Sequence, residues 1–114
     1  MIYSESLKKY ADFQVVYKNR ISYANRYLVM YITKNELEKN RIGISVSKKV
    51  GNSIVRHRLT RLIKESYRLN EKAFEVGYDI VVVARVNAKG ITYQEMESAL
   101  LHLGRLHHIV KKDN

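Results

Sequence analysis

From Tyr27 to Thr33 the chain alternates: Leu28, Met30 and Ile32 fall on one side, and Tyr27, Val29, Tyr31 and Thr33 on the other. A period of two predicts a strand with one face against a core. A polar turn, Lys34 to Asn40, leads into a second alternating run, Arg41 to Ser47. Ile42, Ile44 and Val46 make its core face. Arg41, Gly43, Ser45 and Ser47 make a small, polar face. Glycine and serine on a strand leave a trough where another group can approach the backbone. Tyr78 to Arg85 predicts a third strand, apolar on both faces from Ile80 to Val83, which places it centrally in the sheet.

Helical periodicity is clearest from Ser53 to about Asn70. Val55, Leu59, Leu62 and Ile63 fall on one stripe, while His57, Arg61, Lys64 and Arg68 fall opposite. Arg56 and Arg58 flank the helix start, and Asn52 or Ser53 can cap it. A shorter helix is predicted near residues 7–18, with Phe13 and Tyr17 on one face. Thr92 and Glu95 have the spacing of a capping box and open a last helix. Its inward stripe is Met96, Leu100, Leu103, His107 and Val110, with Lys111 and Lys112 at its negative C-terminal end. The order is α-β-β-α-β-α, with room for a further short strand near residues 21–25. A helix crosses between the second and third strands as in a βαβ unit. The pattern predicts one α+β domain over residues 1–114, a sandwich of helices against a sheet.

Charge sharpens this picture. Between Lys39 and Lys64 lie eight basic residues, Lys39, Arg41, Lys48, Lys49, Arg56, Arg58, Arg61 and Lys64, and no acidic one. Net charge is +10 over 114 residues. Such a field attracts polyanions from a distance. Apolar residues recur through the basic run, so it belongs to a folded surface shaped for nucleic acid rather than to a tail. A polybasic membrane-surface helix is the weaker reading. No apolar run approaches the ~18 residues of a membrane span, and the start, Met-Ile-Tyr-Ser-Glu-Ser, does not read as a secretory signal. Cysteine is absent, which excludes disulfides and cysteine-based zinc sites and suits the cytoplasm.

The strongest chemical candidate is the linker Ser47-Lys48-Lys49-Val50-Gly51-Asn52 and the helix it opens. A helix N-terminus offers free N–H donors and partial positive charge, which phosphate favours. Lys48, Lys49, Asn52, Arg56, His57, Arg58, Arg61, Lys64 and Arg68 are the candidate RNA-binding residues. Aromatics come next, with nine tyrosines and no tryptophan. Rings beside cations suit single-stranded RNA, because every unpaired base has a face to stack. Phe13 reads equally as core or as ligand wall, Tyr17 shares its helix face and its two readings, and Tyr31 lies on the outer face of its strand. His102, His107 and His108 read as exposed polar groups rather than metal ligands. No paired carboxylates, acidic Mg²⁺ cluster, nucleophile elbow or phosphate-binding loop is visible, so no catalytic residue and no protein-held metal is expected.

The run Arg41-Ile-Gly-Ile-Ser-Val-Ser-Lys-Lys-Val-Gly-Asn-Ser-Ile-Val-Arg-His-Arg-Leu-Thr-Arg-Leu-Ile-Lys64 resembles the protein subunit of bacterial ribonuclease P. Ala11 to Tyr17, Ala24 to Tyr27 and Tyr78 to Arg85 support the likeness, which covers nearly the whole chain. It implies a left-handed βαβ crossover, against the usual right-handed rule, in a fold like the second domain of a ribosomal protein. It implies partners: ribonuclease P RNA and precursor tRNA, with neither membrane nor DNA. It implies that the RNA holds the catalytic Mg²⁺, and that the ribonucleoprotein removes the 5′ leader of precursor tRNA. The basic helix would meet the RNA. The leader would lie between the first helix and the sheet, against Phe13, Tyr17, Arg26, Tyr31 and Ser45. Two positions depart from the family pattern: His57 stands where asparagine is usual, and Thr60 where a basic residue is usual. The alternatives are a non-enzymatic RNA-binding or ribosome-associated protein, and a DNA binder using the basic helix in a major groove.

Overall fold

The computed structural model describes residues 3–112; Met1 and Ile2, where the reading of the chain's start begins, lie outside them. Its elements run β1 (Ser4–Ser6), α1 (Tyr10–Lys18), β2 (Ser22–Ala24), β3 (Leu28–Lys34), β4 (Asn40–Ser45), α2 (Ser53–Leu69), β5 (Tyr78–Ala84) and α3 (Tyr93–Leu106). Short 3₁₀ turns follow α2 and β5. The strands form one mixed sheet in the order β1-β4-β5-β3-β2. β5 is central, as its two apolar faces require: it pairs in parallel with β4 and antiparallel with β3. α2 is the crossover between the parallel strands.

The predicted elements are present, with two additions. β2 occupies the place left near residues 21–25 and pairs with β3. β1 was not foreseen. Ser4, Glu5 and Ser6 carry no apolar alternation, and they join the sheet through backbone pairing with β4 alone. The first helix begins at Tyr10 rather than residue 7, because Leu7 is still tied to the sheet by its N–H to the Ile42 carbonyl at 2.8 Å.

The two sides of the sheet are unequal. α2 and α3 cover one side, over a core that includes Leu28, Met30, Ile32, Ile42, Ile80 and Val82, with Leu59, Ile63, Leu100 and Leu103 from above. Tyr67 and Phe74 pack ring against ring, centroids 5.0 Å apart, in the same core. α1 alone lies on the other side, where Leu7, Val16 and Val81 are fully buried and Phe13, Tyr17, Tyr31 and Val83 only partly.

α3 is closed at its start by the predicted capping box: Thr92 Oγ1 accepts from the Glu95 N–H and Glu95 accepts from the Thr92 N–H. It ends four residues earlier than the apolar stripe suggested. His108 adopts φ 59°. The His108 N–H donates to the Arg105 carbonyl and the Ile109 N–H to the Gly104 carbonyl, which closes the helix with a left-handed residue. Val110 therefore leaves the helix and bridges to Phe74. Lys111 donates its N–H to Ala73, so Lys111 and Lys112 do not sit at the helix end; Arg105 does.

His107 bears out its place on the inward stripe of the last helix and corrects its reading as an exposed polar group. It is buried rather than exposed. Its Nε2–H donates to the Met30 carbonyl at 2.8 Å, and its ring meets Tyr23 edge-on. Burial holds its pKa below the ordinary value. His102 and His108 are exposed.

Candidate nucleic-acid interface

Strand register builds the α1 side in rows. Thr33, Asp79 and Arg41 are aligned across β3, β5 and β4; then Tyr31, Val81 and Gly43; then Val29, Val83 and Ser45. α1 covers the first two rows. Arg41 donates twice to Asp79, through Nε at 2.8 Å and through a second nitrogen, and lies 3.7 Å from Asp12 of α1. That bond to Asp79 raises the already high pKa of Arg41. Asp79 also accepts from the Asn35 amide.

The second row corrects the simple trough. The outer end of the Phe13 ring rests on Gly43, so close that a Cβ there would be 2.6 Å from it. The space left by glycine is filled from within the chain. What stays open is the third row. Val29, Val83 and Ser45 are its partly exposed floor. Tyr17 stands over it, 4.9 Å from the Tyr31 ring in an edge-to-face pair and 6.4 Å from Phe13. Burial pushes the Tyr17 phenol above its ordinary pKa, and a hydrogen bond with Ser45 opposes the shift.

Phe13, Tyr17, Tyr31 and Ser45 are thus brought together. Arg26 is not with them. It lies in the β2–β3 turn over the Tyr27 ring, 5.5 Å from its centroid, in a shallow pocket shared with Glu95 and His102. Sequence reasoning missed Tyr10, which is 78% exposed and lines the same groove as Phe13, Tyr17 and Ser45. Its spacing was a usable signal: Tyr10, Phe13 or Gln14, and Tyr17 recur every three to four residues. Arg85 and Lys89 were missed too. Both are exposed and follow β5 at the end of the sheet where β4 delivers Lys48 and Lys49.

α2 is capped by Asn52, whose side chain accepts from the Val55 N–H at 3.0 Å. Gly51 lets the linker press onto Val55; a Cβ would sit 2.7 Å from that side chain. The outer face of α2 carries exposed His57, Arg58, Arg61, Lys64 and Arg68. Arg58 also donates to the Ile91 carbonyl at 2.6 Å, which ties α2 to the loop before α3. Arg56 departs from this ridge. It is half-buried, and its Nε has no hydrogen-bond partner within the protein. The one carboxylate on the ridge, Glu65, is paired with Arg68. Lys48 and Lys49 are exposed in the linker.

Among the described residues no group of three or more His, Asp or Glu side chains could hold a metal ion. The nearest carboxylates are engaged, Asp79 by Arg41 and Glu65 by Arg68. These residues do not build a Mg²⁺ site. Among the same residues no helix is long and apolar enough to cross a membrane.

Comparison with known proteins agrees with this architecture. The ribonuclease P family model matches residues 1–107. The ribonuclease P protein component of Lachnoclostridium phytofermentans is 63% identical over 107 residues, covering 94% of this chain and 92% of that one. That of Alkaliphilus metalliredigens is 58% identical over 102 residues, covering 90% and 92%. The solved RNase P protein of Staphylococcus aureus superposes with a TM-score of 0.85 at 37% identity, covering 93% of this chain and 97% of that one. With a mixed five-stranded sheet, an outward cationic helix and sequence likeness across almost its whole length, the chain belongs to the ribonuclease P protein family: it is a subunit of the endoribonuclease that processes the 5′ leaders of precursor tRNA.

Proposed function

We propose that the two sides of the sheet divide the work of that subunit. The outer face of α2, with Lys48, Lys49, Asn52, His57, Arg58, Arg61, Lys64 and Arg68, binds ribonuclease P RNA, with Arg56 at its edge. The open row beside α1 binds the single-stranded leader, with Phe13, Tyr17 and Tyr31 against bases and Ser45 on the floor. Tyr10 extends that wall. Arg26 acts on RNA beyond the end of the row, with Arg85 and Lys89. The observation that carries the proposal is the unfinished α1 side: three aromatic rings converge on a floor that the protein's own core leaves open.

Catalysis belongs to the RNA. It holds the Mg²⁺ ions and hydrolyses the phosphodiester at the leader junction. The protein contributes binding and orientation, and the pairing of Asp79 with Arg41 and of Glu65 with Arg68 supports that division. The holoenzyme works in the bacterial cytoplasm, where precursor tRNA is made. The chain acts as one RNA-binding unit over residues 1–114, and α2 makes the left-handed crossover implied by the family likeness, between its parallel neighbours β4 and β5.

Reconstitution tests this. Protein alone should leave precursor tRNA intact in Mg²⁺, and cleavage at low Mg²⁺ should appear when ribonuclease P RNA is added. The doubly reversed variant Arg61→Glu/Lys64→Glu should lose assembly. Wild-type binding should weaken with salt by roughly 0.7–0.9 log units per neutralised phosphate per log unit of salt. Specific 5′ cleavage by RNA-free protein, or unchanged assembly after charge reversal, would refute the division of labour.

A further inference from the structure

The cationic face of α2 begins with a residue that is not cationic. At about 100° per residue, Ile54 projects directly away from the core that Leu59, Ile63 and Ser66 face. It is 78% exposed, matched among the described large hydrophobic residues only by Tyr10. Its helical neighbours at three, four and seven residues are His57, Arg58 and Arg61. Together with Leu62 these line a shallow groove of about 660 Å³. Arg58 is held by the Ile91 carbonyl, which fixes one rim.

Resting on the assignment of α2 to ribonuclease P RNA, we infer that Ile54 seats an unpaired nucleobase of that RNA, bordered by the cations that hold its phosphates. An isoleucine offers phosphate nothing: it has no donor and no charge. An apolar patch bordered by charge has the anatomy of a buried recognition site. The major groove of an A-form helix is too deep and narrow for a helical side chain to read, and its shallow minor groove presents 2′-hydroxyls and polar base edges rather than an apolar face, so the base that meets Ile54 is an unstacked one. A second copy of this chain is disfavoured as the occupant, because a net charge of +10 repels its like and the one ridge carboxylate is already paired.

Base contact and phosphate contact separate in their response to salt. Affinity for ribonuclease P RNA should be measured over a salt series for wild type, Ile54→Ala and Arg61→Ala. Ile54→Ala should weaken binding about tenfold at every salt concentration, since it removes apolar burial and no counterion release. Its melting temperature should not move. Arg61→Ala should lower the salt slope by about 0.7–0.9. Because the chain has no cysteine, Ile54→Cys can carry a single photo-cross-linker. It should mark one nucleotide, and removing that base should weaken wild type as much as Ile54→Ala does, without adding to it. Unchanged affinity for Ile54→Ala beside a flattened slope for Arg61→Ala sinks the base contact alone, as does a cross-link to a second protein copy. If neither variant changes binding, the ridge itself has been misassigned.

Discussion

Set the two sides of the sheet beside each other. Under α2 and α3, nineteen side chains are sealed from water and eight more are partly covered. Under α1, three residues are sealed and four are left half-covered, three of them aromatic. The cause is geometric. A nine-residue helix is only about 13 Å long, while five strands span about 19 Å between the outermost axes. One short helix cannot close that surface. Two longer helices close the other side and have outer faces to spare. The well-packed side supplies stability and presents charge; the underpacked side presents rings and a floor.

The largest effect should come from the sealed side. Leu103→Ala removes a fully buried side chain and should cost about 2–5 kcal/mol. Thermal unfolding would show it as a lower melting temperature. Loss of folded protein would reduce binding of precursor and mature tRNA equally.

Tyr17→Ala or Tyr31→Ala on the open side should behave differently. Each should weaken precursor tRNA binding by the holoenzyme by about 1–3 kcal/mol, the range for a stacked base. Mature tRNA, lacking a leader, should bind as before. A parallel loss of both ligands with a lowered melting temperature would make these rings ordinary core and erase the contrast.

Tyr10 sharpens the open side further. Tyr10→Ala should spare stability, given its exposure, and weaken only precursors whose leaders reach the N-terminal end of α1. Titration with leaders of graded length measures this. Equal effects at every length would remove Tyr10 from the wall.

The smallest effect concerns pH on the sealed side. His107 is held neutral by burial, with its pKa below the ordinary 6.5; Tyr23 and His108 face it. The unfolded chain therefore binds the proton more readily. Stability is full above about pH 6.5 and declines as pH falls towards the folded-state value. His107→Gln should flatten that decline in urea titrations. An identical pH dependence would assign the loss to other groups.

The long elements were legible because their periodicity is internal to them. The stripe of α2, the alternation of β3 and the capping box of α3 each need only local sequence. Tertiary contact decided what was not legible. Ser4 to Ser6 is a strand because β4 offers an open edge. His107 was placed inward by its helical stripe and outward by its polarity, and its hydrogen bond to the Met30 carbonyl decides for the stripe. The trough over Gly43 was visible, but its filling by Phe13 was not, since nothing local specifies how α1 crosses the sheet. Arg56 looked like part of the ridge from its charge, although its angular position already set it apart from His57 and Arg61.

Ser45, at the floor of the open row, and Asn52, at the cap of α2, are seven residues apart on one continuous stretch of chain. Even fully extended, that stretch spans no more than about 25 Å, and both ends are clamped, one by the pairing of β4 and the other by the helix cap. The molecule therefore works as a caliper. On the proposed division of labour, one jaw is for the leader and the other for the catalytic RNA, and the linker between them sets the gauge. A residue inserted between Lys49 and Asn52 would leave both jaws intact and change only the spacing between them, so the scissile bond would be offered at the wrong mark.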